Sequence, residues 1–306
     1  MKTISIEKYQ KLIKDLRKDF FKQPTILIYE LFQKLKYHEK DSAFFENNAS
    51  QIVENLRKSS WEHFYPKEKE FTTKMLKMLI DLQAIKNLSN LESIVWFIEN
   101  FPEHIYALTL SNTQSRRSRA GKEFEAIIEL ILIGAGVYLD TQGNVGKSEF
   151  IQKGLGKMVD IVSPSVVEYQ INKWNAVLIS AKTTLRERWQ EVPEEMQRTG
   201  ANTMFLVTLD PNISDDVLRT LYETNIRIVT TKQNQLTNYK NKEIVISFEQ
   251  LIQICKENNA KWNSFKYSEI QKEQILESLK KQINKYQDQE FIKKYYQKRA
   301  KKMNIK

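Results

Sequence analysis

The sequence predicts an α/β fold in which helices flank a mixed central sheet, with a helical region before this core and a helical tail after it. Two observations support this class. Apolar residues recur every three or four positions towards both ends of the chain, and between them short runs rich in valine and isoleucine alternate with helical stretches. With 306 residues, of which 41% are hydrophobic, the chain is long enough for one large domain and a smaller one.

Residues 1–105 are predicted to form a helical N-terminal region. Apolar positions three and four apart recur in the segments YQKLIKDL, ILIYELFQKL, MLKMLIDLQAI and ESIVWFIENF. Glycine is absent from this region, which argues against β-hairpins and favours packed helices.

Residues 106–306 are predicted to form the second domain, because the pattern changes after the polar segment NTQSRRSRAG, which is expected to be a loop. A strongly apolar helix follows, and then come segments with the composition of strands: GVYLD, KMVDIVSP, WNAVLISAK, TMFLVTLD and IRIVTT. Helical stretches separate the last three strands, which predicts that this part of the sheet is parallel. From about residue 247 the sequence is helical again.

The charge of the chain indicates a polyanionic partner or an anionic surface. Lys and Arg number 48 against 38 Asp and Glu, which gives a net charge of +10 and a pI near 9.3. Six of the ten residues from Lys293 to Lys302 are basic, and both a solvated helix and a phosphate-binding arm remain open for them. No segment reaches the roughly 18 apolar residues of a membrane span, and no export signal is present, so we expect a soluble, cytoplasmic protein.

The sequence lacks the motifs of several common classes of enzyme, which disfavours those classes. The single cysteine, Cys255, lies in an apolar run and is expected to be a buried structural residue. The three histidines, His38, His63 and His104, have no metal-ligand spacing, which disfavours a zinc hydrolase. The sequence has no dinucleotide fingerprint, no P-loop and no nucleophile elbow, which disfavours nucleotide-cofactor enzymes and serine hydrolases.

Asp160 and Lys182 are the first candidate site residues. Asp160 lies in the apolar strand segment MVDIV, where an ionised carboxylate is costly unless a cation pairs with it. Lys182 ends the next strong strand. Because side chains point to alternate faces along a strand, Lys182 lies on the same face as Ser180. If the two strands are neighbours, Asp160 and Lys182 converge at one edge of the sheet. For Asp160 alone, a structural salt bridge is the competing interpretation.

Further carboxylates extend this site. Glu194 and Glu195 lie in the helical stretch after Lys182, and Glu125 lies on the apolar helix GKEFEAIIEL. Two or three carboxylates around a lysine, without His or Cys, are typical of a site for a hard cation such as magnesium. Such a site suits the cleavage of phosphodiesters.

These residues resemble the catalytic pattern of the PD-(D/E)XK nucleases. Val159 stands where the pattern has Pro, and Ser180 stands where it has an acid before the lysine. The branch of type II restriction endonucleases that includes EcoRII and NgoMIV takes the missing acid from the following helix. The segments NTQSRRSRAGKEFEAIIELIL and AKTTLRERWQEV resemble the SsoII-type enzymes of this branch. The resemblance covers residues 112–232 and is taken to extend over the whole chain.

The resemblance implies a restriction-endonuclease-like core and names the site. It implies a magnesium-dependent catalytic site formed by Asp160, Lys182, Glu195 and Glu125. Asp160 and Glu195 would hold the metal, with Glu194 as the rival assignment for Glu195. The resemblance further implies a homodimer that binds double-stranded DNA. The N-terminal helices would contribute contacts to the partner subunit and to the DNA. A cytosine methyltransferase is expected as a separate companion protein.

Arg186, Glu187 and Arg188 are the candidate base-recognition residues. In the major groove, Arg binds guanine O6 and N7 with two hydrogen bonds, and Glu accepts one from cytosine N4. A solvated charged turn is the alternative. The resemblance implies that this segment reads CC and GG half-sites, so that a dimer recognises CC-N-GG.

Other polar side chains are candidates for further DNA contacts. Gln114 lies in the predicted loop with Arg116, Arg117 and Arg119, where contacts to the minor groove or to phosphate, helix capping by Ser115 or Ser118, and simple solvation all stay open.

Arg57 and Trp61 are the candidate pocket for a flipped nucleotide. The resemblance implies that the central nucleotides are flipped out, and the two residues lie four apart, so that both project from one helix face and can sandwich a base. A core tryptophan or a surface cation–π pair is the alternative for Trp61.

The sequence therefore predicts a type II restriction endonuclease. A repair or junction nuclease with the same core, which would recognise branched shape, is one alternative. A DNA-binding repressor with an inactive nuclease fold is the other.

Overall fold

The structure is a computed structural model that describes residues 4–157 and 159–305, without the side chains of Glu187, Arg188, Asn304 and Ile305. It divides into two compact units. The first unit contains Met1–Ile28 and Lys58–Glu123, and the second contains Tyr29–Arg57 and Phe124–Lys306. This division differs from a single boundary after residue 105 in two ways: Tyr29–Arg57 belongs with the C-terminal part of the chain, and residues 106–123 belong with the first unit.

The first unit is helical, as predicted for this part of the chain. Helix α1 spans Ile6–Phe20. Ser5 caps its N-terminus, since its side chain accepts a hydrogen bond from the backbone N–H of Lys8. Helix α4 spans Asn90–Asn100 and begins with a reciprocal capping box between Ser89 and Glu92. The buried core of the unit consists of Tyr9, Ile13, Phe71, Met75, Leu79, Phe101 and Leu108.

Two long helices contain boundaries of the units. Helix α3 spans Ser42–Lys77, and helix α5 spans Pro102–Gly134. The loop predicted around Gln114 to Arg119 is wrong, because α5 runs through this segment without interruption. Inside α5 the sequence has no proline and only one glycine, so its polar residues do not break the helix. Ser115 and Ser118 therefore lie within the helix and cap no N-terminus.

The second unit contains a six-stranded mixed sheet. Its strands are β1 (Asp140–Thr141), β2 (Ile161–Ser163), β3 (Val177–Ala181), β4 (Met204–Val207), β5 (Ile226–Thr230) and β6 (Val245–Ser247). They lie in sequence order across the sheet. β1, β2 and β3 pair antiparallel, whereas β3 to β6 pair parallel. The predicted mixed sheet, parallel in its later strands, is confirmed.

Helices connect and cover these strands. Those between β1 and β6 are α6 (Gln142–Val145), α7 (Lys147–Gln152), α8 (Val166–Ile171), α9 (Glu191–Thr199), α10 (Asp215–Glu223) and α11 (Lys232–Asn238). Helix α2 spans Pro24–Lys34, and short 3-10 helices span Tyr37–Glu39, Lys173–Asn175 and Arg186–Gln190. Val192 and Met196 of α9 pack in one core cluster with Leu178 of β3, so α9 covers the face of β3 that carries Leu178.

The C-terminal helices are α12 (Phe248–Lys261), α13 (Glu269–Lys285) and α14 (Glu290–Ile305). The basic helix α14 is only partly solvated, because Ile292, Tyr296, Arg299 and Met303 are buried. Arg299 forms a buried ion pair with Glu168 at 3.4 Å. Its charge is therefore neutralised inside the fold by Glu168, and only the exposed lysines of α14 remain candidates for phosphate contacts.

Cys255 is fully buried, as expected, and burial raises the pKa of its thiol to about 12. Over the described ranges, no helix is long and apolar enough to cross a membrane.

Candidate active site

Asp160 and Lys182 lie side by side where two antiparallel strands meet. The register pairs Ile161 with Ile179, so the residue before β2 lies beside the end of β3. The Nζ of Lys182 is 3.2 Å from Oδ2 of Asp160, and that oxygen also accepts a hydrogen bond from the backbone N–H of Ala181 at 2.6 Å. The structure thus brings together the two residues that the sequence could only place on adjacent segments.

The surroundings of this pair make its charges interdependent. The side chains of Lys182 and Asp160 are only 13% and 14% exposed. Burial raises the pKa of Asp160, while the charge of Lys182 and the N–H of Ala181 lower it. The ionised carboxylate therefore depends on a nearby cation, and removing Lys182 would leave it uncompensated.

Ser180 occupies the position at which the nuclease pattern has an acid. It lies between Ile179 and Ala181, and the backbone groups of both residues bond to Asp160. Among the described atoms, its buried hydroxyl oxygen has no hydrogen-bond partner. A buried unpaired hydroxyl is costly, so Ser180 keeps an unused hydrogen-bonding group directly beside the backbone groups that hold Asp160.

Glu195 and Glu194 lie in different environments on α9. Glu195 shares the buried face with Val192, Met196 and Thr199, and its side chain is 9% exposed. Its Oε2 accepts a hydrogen bond from the backbone N–H of Lys157 at 3.1 Å. Glu194 is exposed and pairs with Arg198 on the surface. Of the two acids, Glu195 is thus the one held on the side of α9 that faces β3.

The segment that carries Asp160 is fixed by a residue that the sequence did not reveal. The side-chain amide of Gln142 donates hydrogen bonds to the backbone oxygens of Val159 at 3.1 Å and Lys157 at 3.3 Å. The backbone N–H of Gln142 also donates a hydrogen bond to the backbone oxygen of Asp160 at 2.8 Å. Because Lys157 in turn bonds to Glu195, this short segment connects both candidate metal ligands.

The donor set fits a hard divalent cation that shares its ligands with substrate. Within the residues that the structure describes, no group of three or more His, Cys, Asp or Glu side chains is arranged to hold a metal. Glu125 is exposed on α5 and does not complete such a group with Asp160 and Glu195. Magnesium, however, is commonly held by one or two carboxylates together with substrate phosphates and water. Asp160 and Glu195 are two carboxylates of the kind that such a site uses.

Known proteins with similar sequences identify the chain. A family model described as EcoRII C terminal matches residues 91–252. The type II restriction enzyme SsoII of Shigella sonnei is 49% identical over 299 residues, covering 98% of this chain and 98% of that enzyme. The chain belongs to the EcoRII C-terminal family. It is a type II restriction endonuclease, and the resemblance inferred from its motifs is confirmed.

Similarity to other proteins agrees with this assignment. A structure of metal-depleted Ecl18kI in complex with uncleaved, modified DNA is 47% identical, covers 97% of this chain and 99% of its own, and has a TM-score of 0.93. The PspGI–substrate DNA complex shares the fold at 18% identity, with a TM-score of 0.58 and coverage of 79% of this chain and 94% of its own. EcoRII of Escherichia coli is 28% identical over 131 residues, which are 42% of this chain and 30% of that enzyme. Enzymes of this kind bind DNA and generally use a divalent metal ion.

The candidate recognition segment of the endonuclease begins four residues after Lys182. Arg186 is exposed and has a left-handed backbone with φ of 44°. Just before it, the backbone N–H of Leu185 donates to Oδ2 of Asp210 at 2.9 Å, which fixes the start of the 3-10 helix. The side chains of Glu187 and Arg188 lie outside the part of the chain that the structure describes. The candidate recognition segment therefore follows directly on the Asp160–Lys182 pair along the chain.

Trp61 of the endonuclease lies in the first unit and is not a core residue. Its side chain is 48% exposed, and its ring stacks on Tyr65 with centroids 5.3 Å apart and planes 19° apart. The guanidinium of Arg116 lies 5.9 Å from the ring, and the same group pairs with the buried carboxylate of Glu68. Arg57 precedes Trp61 by four residues on α3 and belongs to the second unit.

Gln114 and its neighbours are placed on the surface of α5. Gln114, Arg116 and Arg117 are exposed there. The side chain of Arg119 is 11% exposed and pairs with Glu123 at 3.3 Å. Its Nη1 also donates to the backbone oxygen of Lys22 at 2.8 Å. Arg119 therefore supports the packing of the first unit, while Gln114 and Arg117 remain candidates for DNA contacts.

Gly156 allows Glu195 to approach the backbone, which leads to a testable prediction. It has a left-handed φ of 74°, and a Cβ built there would lie 1.8 Å from Oε2 of Glu195. Gly156→Ala is therefore expected to displace the carboxylate and to lower the rate of DNA cleavage by about 10- to 100-fold. The measurement is single-turnover cleavage of cognate DNA.

Gly154→Ala is the matched control for backbone strain. Gly154 has a similar φ of 77°, but a Cβ there would meet only the Tyr169 hydroxyl at an ordinary 3.9 Å. Both variants should lose about 1–2 kcal/mol of stability in thermal unfolding, because an L side chain is strained in this conformation. Equal losses of cleavage in the two variants would contradict a specific role for Gly156.

Proposed function

We propose that the endonuclease is a homodimer that uses Mg²⁺ to cut both strands of DNA at the palindrome CC-N-GG. The single observation that carries the chemistry is the buried Asp160–Lys182 pair, with Glu195 held on the helix that covers the same face of β3. Similarity to SsoII-type enzymes supports the choice of CC-N-GG. In this proposal Arg186, Glu187 and Arg188 read the G·C pairs, and Gln114 contributes a contact in the minor groove.

Each side chain has a separate role at the scissile phosphate. Asp160 and Glu195 would hold the cation, and Glu125 is proposed as an additional catalytic carboxylate. When bound, the divalent cation stabilises charge on the phosphate and activates water for attack. The ammonium of Lys182 stabilises the negative charge that develops on the phosphate oxygens. The carboxylate that the nuclease pattern has at position 180 would come instead from Glu195 of α9.

A homodimer supplies two catalytic sites related by a two-fold axis, which matches the symmetry of a palindrome and lets both strands be cut in one complex. A cytosine methyltransferase, as a separate protein, would protect the same sequence in cytoplasmic DNA of the host. The homodimer also places two recognition segments in the two half-sites.

Digestion of a plasmid of known sequence tests the proposal. With Mg²⁺, the purified endonuclease should produce defined ends, and sequencing them should return one motif, CC-N-GG. Calcium in place of magnesium is the control for metal identity. Random nicks, or cuts confined to branched DNA, would favour a structure-specific nuclease, and binding without cuts in Mg²⁺ would indicate an inactive repressor.

Trp61 is proposed, with Arg57, to hold a flipped central nucleotide. Its half-exposed ring, which is stacked on Tyr65, offers an aromatic platform for a base. A site with 2-aminopurine at the central position should become strongly fluorescent on binding, because the base leaves the stack. Trp61→Ala is expected to abolish most of this rise.

Trp174→Ala is the matched control for this experiment. Trp174 is 70% exposed in the second unit, so its removal also deletes an accessible indole but should leave the fluorescence rise intact. An unchanged rise in Trp61→Ala would contradict the flipping pocket.

A further inference from the structure

Helix α4 exposes an apolar face that has no partner among the described residues of its unit. Leu91, Ile94, Val95 and Ile98 are 72%, 58%, 42% and 57% exposed. Their spacing of three, four and seven puts all four on one stripe of the helix. Trp96 and Phe97 point the other way and pack against the core of the first unit. The stripe is therefore not the face that attaches α4 to its own chain.

Exposed apolar side chains continue on both sides of α4 in the sequence. They are Met78, Ile80, Leu82, Leu88, Tyr106 and Leu110, with exposed fractions from 36% to 73%. Summed over these residues and the stripe, the exposed side-chain surface is on the order of 800 Å². About 800 Å² is also the share that one partner contributes to an interface of standard size.

The charge of α4 identifies the kind of partner. The helix contains Glu92 and Glu99 and has no lysine or arginine, although the whole chain carries a net charge of +10. A polyanion such as DNA would be repelled by the carboxylates and would gain little from the apolar stripe. The surface therefore suits a protein partner rather than the DNA that the endonuclease cuts.

We infer that this partner is a second copy of the chain, packed through α4 against α4 of the first. The inference rests on the proposed homodimer and names its surface. A two-fold axis brings the same patch of both copies together, so one apolar stripe is sufficient on each. An antiparallel pair of α4 helices closes the contact and leaves no apolar face for a third copy.

The test is the effect of charge on self-association. In Ile94→Glu/Ile98→Glu, four carboxylates meet across the two-fold axis, and the dimer dissociation constant should rise by about 100-fold or more. The measurement is analytical ultracentrifugation over a range of concentrations, with circular dichroism to show that the variant is folded. Leu236→Glu/Ile270→Glu is the matched control, because these residues are 62% and 70% exposed in the second unit. It should remain dimeric.

Cross-linking gives an independent measurement. Cys255 is fully buried, so a single introduced thiol is the only one accessible to reagent in the described residues. Ile94→Cys or Ile98→Cys should be joined to a second copy by a short bis-maleimide, whereas Ile270→Cys should not.

The outcomes separate this inference from the proposed homodimer. A dimeric parent whose Ile94→Glu/Ile98→Glu variant stays dimeric would overturn the α4 interface and leave the homodimer intact. A parent that is monomeric at all concentrations, with and without CC-N-GG DNA, would overturn both. A monomeric parent that floats with zwitterionic vesicles, and loses this property in the variant, would show that α4 binds lipid instead.

Discussion

Lys182→Ala is expected to reduce DNA cleavage by about 10²- to 10³-fold while the endonuclease still binds its site. The ammonium that would face the developing charge on the phosphate is lost, whereas the recognition segment beyond it is held separately through Leu185 and Asp210. Single-turnover cleavage in Mg²⁺ and a binding titration in Ca²⁺ measure the two effects. The largest part of the loss should appear in the rate and not in the affinity.

Lys242→Ala is the matched control. Lys242 also pairs with an aspartate, Asp215, at 2.8 Å, but on the exposed surface of the second unit. It removes the same charge and the same kind of ion pair, and it should leave cleavage unchanged. Normal cleavage by Lys182→Ala would show that the Asp160–Lys182 pair is only structural.

The pH dependence of the same variant follows from the pKa of Asp160. Burial raises this pKa and Lys182 lowers it, so removal of the lysine raises it further. The carboxylate must be ionised to hold a cation, and its protonated fraction grows as the pH falls. Calorimetric titration of Lys182→Ala with Mn²⁺ should therefore show that metal binding is lost at a higher pH than in the parent.

The class of fold was predictable from the sequence because its signals are local. The apolar runs that became β3, β4 and β5 alternate with amphipathic stretches, and short crossovers of this kind produce parallel strands. The packing of Tyr29–Arg57 with the C-terminal part was not predictable. It depends on contacts such as those from Ser50 to Glu249, at 2.8 Å and 199 residues apart in sequence, which leave no periodic signal.

The candidate site was predictable to different degrees for different residues. An acid in an apolar strand and a lysine at the end of the next strand identified Asp160 and Lys182, but their contact required the antiparallel register of β2 and β3. Gln142 escaped notice because its amide bonds to backbone oxygens 15 and 17 residues away, which no spacing rule encodes. The choice of Glu195 over Glu194 has a visible signal, since Glu195 shares one helical face with Val192 and Met196.

Because Glu195 lies on the buried face of α9, its substitution is the second change that we expect to reduce cleavage strongly. Glu195→Gln is expected to reduce cleavage by about 100-fold, because it removes one of the two negative charges available to the cation. Glutamine keeps the size of the side chain and an oxygen that can accept from the backbone N–H of Lys157, so the fold should be retained. The measurement is the single-turnover rate as a function of Mg²⁺ concentration, and the variant should need more metal.

Glu194→Gln separates chemistry from the general effect of losing an acid on α9. Glu194 is 66% exposed and its partner Arg198 is 61% exposed, so this ion pair is screened by solvent and contributes little. Cleavage by Glu194→Gln should stay close to that of the parent. If this variant instead lost activity and Glu195→Gln did not, Glu194 would be the metal ligand, and α9 would have to turn in the DNA complex. A loss in both variants would mean that the net charge of α9, rather than one oriented carboxylate, sustains cleavage.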